Sequence, residues 1–534
     1  MNTRHTLRSH HERPTDGHAG TGIARHVLLV SCVIASLFLS FLPSQSAHAS
    51  GAFWLPTQQA SDASFDHLNP VLAAYKNHAY ALSVQANDTL ARTSVFFSTN
   101  ESGTWTTQLM SSQGPVDTYS REFISLAVDA STGRLYATWV YQKTSDVDAL
   151  GVWMRDPSGQ WSGPVDAVTA GSLVGQPYIV AGNGKAYAAF ISAETPGPCD
   201  DSKGTAGDVQ VVAYDGATWS APTNITSCVN DPTILEFATP KLALDEAGHV
   251  YLVAAANNDL WYSDTLSGSW SEPTQITQGA NVPDSVGTAL RTFYGIAASN
   301  GTSYITYVHH VDTTTDDVLL TSRSTGGTWS AAARVSPADP QDCPKFGLSI
   351  VASAGRVGIS YVRGSLGYCH GSGGTDGNVP FLFTGALGQL TAVGSLETTN
   401  PNCFATFITN EGNLFRFMTT CDAPANLGKG QLSYKAEFLD TVGPIAHLSA
   451  PGHASSTIKL GWSATDPQPG SGVAAFELQE RANGSPWKTL LAATTSRALN
   501  FHATHRGTRY SFRLRASDHV QNWGAWVSAS TSVK

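Results

Sequence analysis

Two phrases alternate along this chain, and their spacing constrains the fold more than any other feature. The first is an apolar run, a polar turn rich in Gly, Asn and Asp, and a second apolar run. It reads "NPVLAAYKNHAYALSV" (69–84), "ISLAVDASTGRLYATWV" (124–140), "QPYIVAGNGKAYAAFI" (176–191) and "TPKLALDEAGHVYLVAA" (239–255), then "FYGIAASNGTSYITYV" (293–308), "FGLSIVASAGRVGISYV" (346–362) and "FATFITNEGNLFRFMT" (404–419). The second phrase follows the first and ends on a Gly-rich turn and Trp, as in "FFSTNESGTWTTQLM" and "LTSRSTGGTWSAAARVS". Each phrase predicts a β-hairpin. The aromatics of the first phrase stand at Tyr80, Tyr136, Tyr187, Tyr251, Tyr304 and Phe415, with Gly358 in the sixth slot. Tyr80 and Phe415 are six repeats and 335 residues apart, a period of about 56. Trp105, Trp161, Trp219, Trp270 and Trp329 keep the same beat.

Two hairpins per repeat give four strands, and four-stranded units at this period are the blades of a β-propeller. A lone blade leaves two apolar faces open, and stacking blades in a ring covers both. Seven first hairpins predict a seven-bladed β-propeller over 50–438. The seventh unit has "LSYKAEF" (432–438) as its third strand and no fourth. "AFWLPTQQA" (52–60) resembles "WSAPTNIT" (219–226), so the N-terminal strand is expected to close the ring and protect its open edge. Trp329 is expected to start an outer strand, cover the blade's outer edge and belong to the core.

Composition agrees with an all-β chain. Charged residues are 13%, against about 25% in ordinary soluble domains, while 41% are apolar. The net charge of −10 gives no attraction to phosphate backbones, so nucleic acid is not an expected partner. Residues 1–49 have the layout of a secretory signal: Arg25 and His26, the apolar run Val27–Leu42, and Ala47 and Ala49 at small-residue cleavage positions. The remaining chain is expected to be secreted or held at the cell surface, with no stable membrane insertion after cleavage, as a monomer without a cofactor or metal. Six cysteines follow the signal, an even number that suits disulfides in an exported chain. Cys199–Cys228, Cys343–Cys369 and Cys403–Cys421 are the expected pairs, each joining neighbouring loops.

The stretches "STNESGTW" (98–105), "SDTLSGSW" (263–270) and "SRSTGGTW" (322–329) resemble the Asp-box of sialidase-like propellers, also called the BNR repeat. Asn100, Thr265 and Ser324 stand where that box has Asp. The resemblance implies a blade type and, in active sialidases, three arginines on a carboxylate, a Tyr–Glu nucleophile pair and an Asp acid. Arg121, Arg291 and Arg363 would supply three arginines. The family's Arg-Ile-Pro entry is replaced by "LNP" (68–70), so no catalytic residue is carried over. Residues 439–534 lose the period. Trp462, "GSGV" (470–473) and Tyr510 before "FRLRASD" resemble a fibronectin type III β-sandwich, in which the Trp is core and the Tyr hydroxyl pins a corner.

Loops entering the first strand and joining the second to the third share one face of such a ring, the expected binding face. Its candidate ligand-binding residues are Arg121, Glu122, Arg291, His309 and Lys345. "HHVDTTTDD" (309–317) offers metal-ligand types, but adjacent histidines on a strand point to opposite faces. The expectation is an exported recognition protein for a glycan or surface polymer. The alternative is an exo-acting glycoside hydrolase or polysaccharide lyase on the same face.

Overall fold

The computed structural model describes residues 52–61, 66–87, 92–115, 124–144, 147–170, 173–192, 207–226, 237–280, 282, 293–311, 316–337, 345–364, 378–393, 403–423, 426–468 and 470–534. The expected signal lies outside them. Every regular element among the described residues is a strand. No helix among them is long and apolar enough to cross a membrane.

Seven antiparallel sheets follow one another along the chain, consistent with propeller blades. Their first strands are Leu68–Tyr75, Ser125–Asp129, Leu173–Gly182, Ala238–Leu244, Tyr294–Ser299, Lys345–Ser353 and Cys403–Glu411. The fifth sheet shows the plan. Tyr294–Ser299 pairs with Thr302–His310, which pairs with Asp316–Ser324, which pairs with the two-residue strand Ala333–Arg334. Ser299 faces Thr302, so Asn300 and Gly301 alone make the turn, both at positive φ (51° and 72°). That is the two-residue geometry for which Asn-Gly is suited. Each first strand packs against the first strand of the next sheet, and Cys403–Glu411 packs against Leu68–Tyr75.

In the seventh sheet the fourth position is filled from the N-terminus. Phe53 faces Phe438, Trp54 faces Glu437, and Gln58 faces Tyr434. Outer strands elsewhere are as short as Thr223–Asn224 and Thr274–Gln275. Pro222 and Pro273 precede them, and a residue without an N–H cannot extend a ladder.

Trp329 packs against the core as expected but does not start its outer strand. Only Trp161 begins one. Trp329 precedes Ala333–Arg334 and meets Tyr262 of the preceding sheet edge-on, centroids 5.0 Å apart. Trp105 meets Tyr434 and Trp161 meets Phe97 in the same way. Trp219 packs among residues of the second sheet, Trp270 among those of the third, and Trp54 against Leu382 and its neighbours. Trp105, Trp161 and Trp329 therefore fill the gap between their own sheet and the third strand of the one before. Trp54 takes that place for the seventh sheet. Gly358 fills the aromatic slot of the sixth sheet because a Cβ there would stand 2.6 Å from Ile408 Cδ1.

The C-terminal residues form two further sheets. Ile445–Ser449, Thr457–Thr465 and Ala498–His502 make one; His453–Ala454, Val527–Val533, Arg509–Asp518, Val473–Ala482 and Lys488–Thr494 make the other. Trp462, Phe476, Leu478, Tyr510 and Phe512 are buried between them. Trp462 Nε1 donates to the Ser496 carbonyl at 2.8 Å, and the Tyr510 hydroxyl accepts from the Thr504 amide at 3.2 Å.

Candidate functional site

The seven first strands surround a cavity of about 400 Å³, walled by small and branched side chains such as Ala74, Val180, Leu244 and Ala352. It runs from mid-strand to the turns that follow these strands, where Asp129, Asp245, Glu246 and Glu411 ring its mouth. Those carboxylates are committed to the scaffold. Asp129 accepts from the Ser131 and Thr132 hydroxyls and from the Gly184 amide of the next sheet (2.7, 2.8 and 2.9 Å). Glu246 reaches the Asn300 amide of its neighbour at 2.7 Å, and Glu411 reaches the Asn77 amide across the junction of the seventh and first sheets at 2.7 Å. Asp245 accepts from the amides of Ala247 and His249, from His249 Nδ1 and from the Tyr251 hydroxyl. Burial alone raises the carboxyls of Asp129 and Asp245; their hydrogen bonds outweigh it and hold both below the usual aspartate range. Carboxylates so held are poor proton donors at neutral pH.

The opposite end of the first strands is built differently. Register slips occur between Leu68 and Val71, Gly175 and Tyr178, Ala238 and Lys241, and Phe346 and Ser349. Asn69, Gln176, Thr239 and Gly347 sit there at positive φ (48°, 59°, 42° and 65°). The "LNP" entry is thus one of a set of repeated β-bulges, a device found at rims and beside functional sites. Thr239 is β-branched, and the left-handed region is costly for it. Its amide donates to Gln176 Oε1, and its hydroxyl pairs with the Tyr294 hydroxyl, which also donates to the Ala238 carbonyl at 2.7 Å.

Lys241 follows this bulge. Its ammonium stands 4.7 Å from the centre of the Tyr178 ring, and Tyr178 lines the cavity. No carboxylate among the described residues pairs with it. Desolvation lowers its pKa from the ordinary 10.5 to about 8, and raises that of Tyr178 to about 12. Sequence reasoning missed Lys241; the available signal was one lysine inside the apolar run "TPKLALD".

Arg121, Glu122 and Arg291 lie outside the described residues, as do Cys199, Cys228, Cys343 and Cys369. Cys403 and Cys421 face each other across their strands and are bonded, with a sequence separation of 18. Lys345, expected on the binding face, is placed inside the sixth sheet's edge. It is 2% exposed, and its ammonium donates to the Asp316 carbonyl while its amide donates to Asp316 Oδ2 at 2.9 Å. The buried Asp316 carbonyl holds the amine inside. His310 Nδ1 bonds Asp316 Oδ1 at 2.6 Å, and Asp317 pairs with Arg334 at 2.8 Å. His309, half-buried, faces Asp317 in the ladder. The described part of 309–317 therefore joins the fifth sheet to the sixth and does not gather its ligand types at one point.

No family model and no curated protein matches this chain. Among solved structures it is similar to the polysaccharide lyase Uly1, at 11% identity and TM-score 0.43, covering 70% of this chain and 90% of that one. It is also similar to Trypanosoma rangeli sialidase in complex with the inhibitor DANA, at 9% identity and TM-score 0.38, covering 90% and 89%. A third is Pyrococcus horikoshii acylaminoacyl peptidase, at 9% identity and TM-score 0.41, covering 76% and 58%.

Proposed function

We propose that the chain is an exported recognition protein: a seven-bladed propeller of the sialidase-like type, closed by its N-terminal strand and followed by a fibronectin type III-like module. It binds an acidic glycan or surface polymer at the end of the ring where the first strands begin. The observation that carries this reading is Lys241, a desolvated ammonium without a carboxylate partner among the described residues, held against an aromatic face. Such a group is completed by an anion that is itself partly desolvated, as a sugar carboxylate over an aromatic ring is. Arg121 and Arg291, which in the sequence shortly precede first strands, and His309 would extend the contact.

An array of neutral and acidic glycans probed with residues 50–534 tests the reading. Binding restricted to acidic glycans, lost in Lys241→Met and weakened by Arg121→Ala and Arg291→Ala, is the expected result. Binding that survives all three moves the site, the C-terminal module being the next place to look.

One observation favours a second reading. A lysine titrating near 8 suits proton abstraction beside a carboxylate, the step a polysaccharide lyase needs. Ultraviolet absorbance from an unsaturated uronate, formed by wild type and absent with Lys241→Met, would replace recognition with eliminative cleavage.

A further inference from the structure

Three aspartates from separate stretches converge where the chain enters the C-terminal sandwich. Asp440 follows the strand Asn426–Leu439, Asp466 follows Thr457–Thr465, and Asp518 ends Arg509–Asp518. One carboxylate oxygen from each lies within 4.8 Å of the other two. The residues are 2%, 8% and 1% exposed. No ion pair among the described residues includes any of them. Like charges this close in a dry setting repel strongly.

The scaffold nonetheless holds the carboxylates together. Asp440 Oδ1 and Oδ2 accept the amides of Val442 and Ser471 at 3.1 and 2.7 Å. Asp466 Oδ2 accepts the Gly472 amide at 2.6 Å. Asp518 Oδ1 accepts the amides of Val520 and Asn522, and its Oδ2 accepts Asn522 Nδ2 at 2.8 Å. Five of the six oxygens are thereby oriented. The sixth, Asp466 Oδ1, is buried and has no hydrogen-bond partner. Gly470 lets the loop wrap this closely, since a Cβ there would lie 2.6 Å from Asp466 Oδ2 and 2.5 Å from the Pro467 carbonyl oxygen.

We infer that Asp440, Asp466 and Asp518 bind one calcium ion that fastens the exit of the last ring strand to the sandwich. The donors are all hard oxygens, without the nitrogen or sulfur that zinc favours. Calcium–oxygen distances of about 2.3–2.6 Å place oxygens on opposite sides of one ion about 5 Å apart, whereas magnesium requires about 4 Å and a regular octahedron. Carboxylates already fixed by amides suit the larger, more tolerant ion. The orphaned Asp466 oxygen gains a partner, and the mutual repulsion becomes shared attraction.

The test uses the full chain stripped with EDTA. Calorimetric titration with calcium chloride should give one site per chain, with magnesium at least about tenfold weaker. The melting temperature of the sandwich transition should rise by about 5 °C at a calcium concentration about tenfold above Kd. Asp466→Asn and Asp518→Asn should each abolish both effects. Should these variants fail to fold, terbium luminescence of wild type keeps the inference testable. Trp523, bridged to Ser517 beside Asp518, should sensitise terbium emission that calcium then displaces. Absence of both heat and terbium emission in wild type, or an unchanged calcium stoichiometry in folded Asp466→Asn, would overturn the assignment.

Discussion

The two ends of the ring fasten neighbouring sheets by different chemistry. At the turn end, Asp129, Glu246 and Glu411 each reach an amide of the following sheet, and Arg155–Glu101 and Arg356–Glu437 pair across sheets in bidentate fashion. Charges are matched there. At the strand-entry end the backbone bulges, Thr239 adopts a strained conformation, Lys241 keeps its charge without a counterion among the described residues, and Cys403–Cys421 ties two strands of the seventh sheet to each other. Backbone strain of this kind persists where the surrounding structure over-determines it, and the recognition reading proposed above places its ligand at this same entry end.

Arg356→Met strikes the turn end hardest. Both partners of its pair are nearly inaccessible, at 4% and 3%, and Glu437 would remain buried and uncompensated, at a cost of about 3–5 kcal/mol. Urea denaturation should show this loss, and adding Glu437→Gln should recover part of it. No recovery would mean that the pair is not coupled.

Replacing Cys403 and Cys421 by Ala should cost about 3 kcal/mol, from the freedom regained by a closed loop of about 19 residues, and should weaken ligand binding as well. Loss of stability with binding untouched would separate the tie from the binding end.

Asp245→Ala should cost about 2 kcal/mol, since four donors lose their acceptor, with glycan binding unchanged. Its folded pKa is depressed, so its contribution is present above the unfolded aspartate value and vanishes as the pH falls through the lower folded one. The stability difference between wild type and variant should therefore close in acid. A gap that persists there would contradict the sign.

Lys241→Met gives the smallest change and the most discriminating one. Its folded pKa of about 8 lies below the ordinary 10.5, so the folded protein binds fewer protons between these values. Wild-type stability should rise with pH across that window, the penalty being fully present below about 8. At pH 7 the variant should be more stable than wild type and unable to bind acidic glycans. Wild-type binding should itself fade as the pH rises through 8. A destabilised variant would mean that the amine is structural.

Strand order in the ring was legible because the period of about 56 residues and the Asn-Gly type of turn are set by neighbours in sequence. Trp54 was legible as part of a closing strand through its likeness to the repeated Trp phrase. What the tryptophans touch was not, because Trp329 meets Tyr262, a residue one repeat away. The candidate sites were harder still. Lys345 and Lys241 both sit in first strands, and only the backbone carbonyl of Asp316 beside one and its absence beside the other separate a buried brace from an unneutralised charge. Asp440, Asp466 and Asp518 are spread over 78 residues with no common motif, and nothing short of the folded sandwich brings them together. Gly358 shows the same limit, since the side chain that displaced its aromatic belongs to Ile408, fifty residues on.

Ala52 leaves the ribosome 387 residues ahead of Leu439, the residue it pairs with. At about 5–20 residues per second that is a wait of roughly 20–80 s before its partner strand exists. The seventh sheet is therefore a clasp, the last part of the ring to be fastened. Because no peptide bond crosses it, the same closed circle should tolerate being cut at another turn and rejoined here, with the order of assembly rewritten and the geometry preserved.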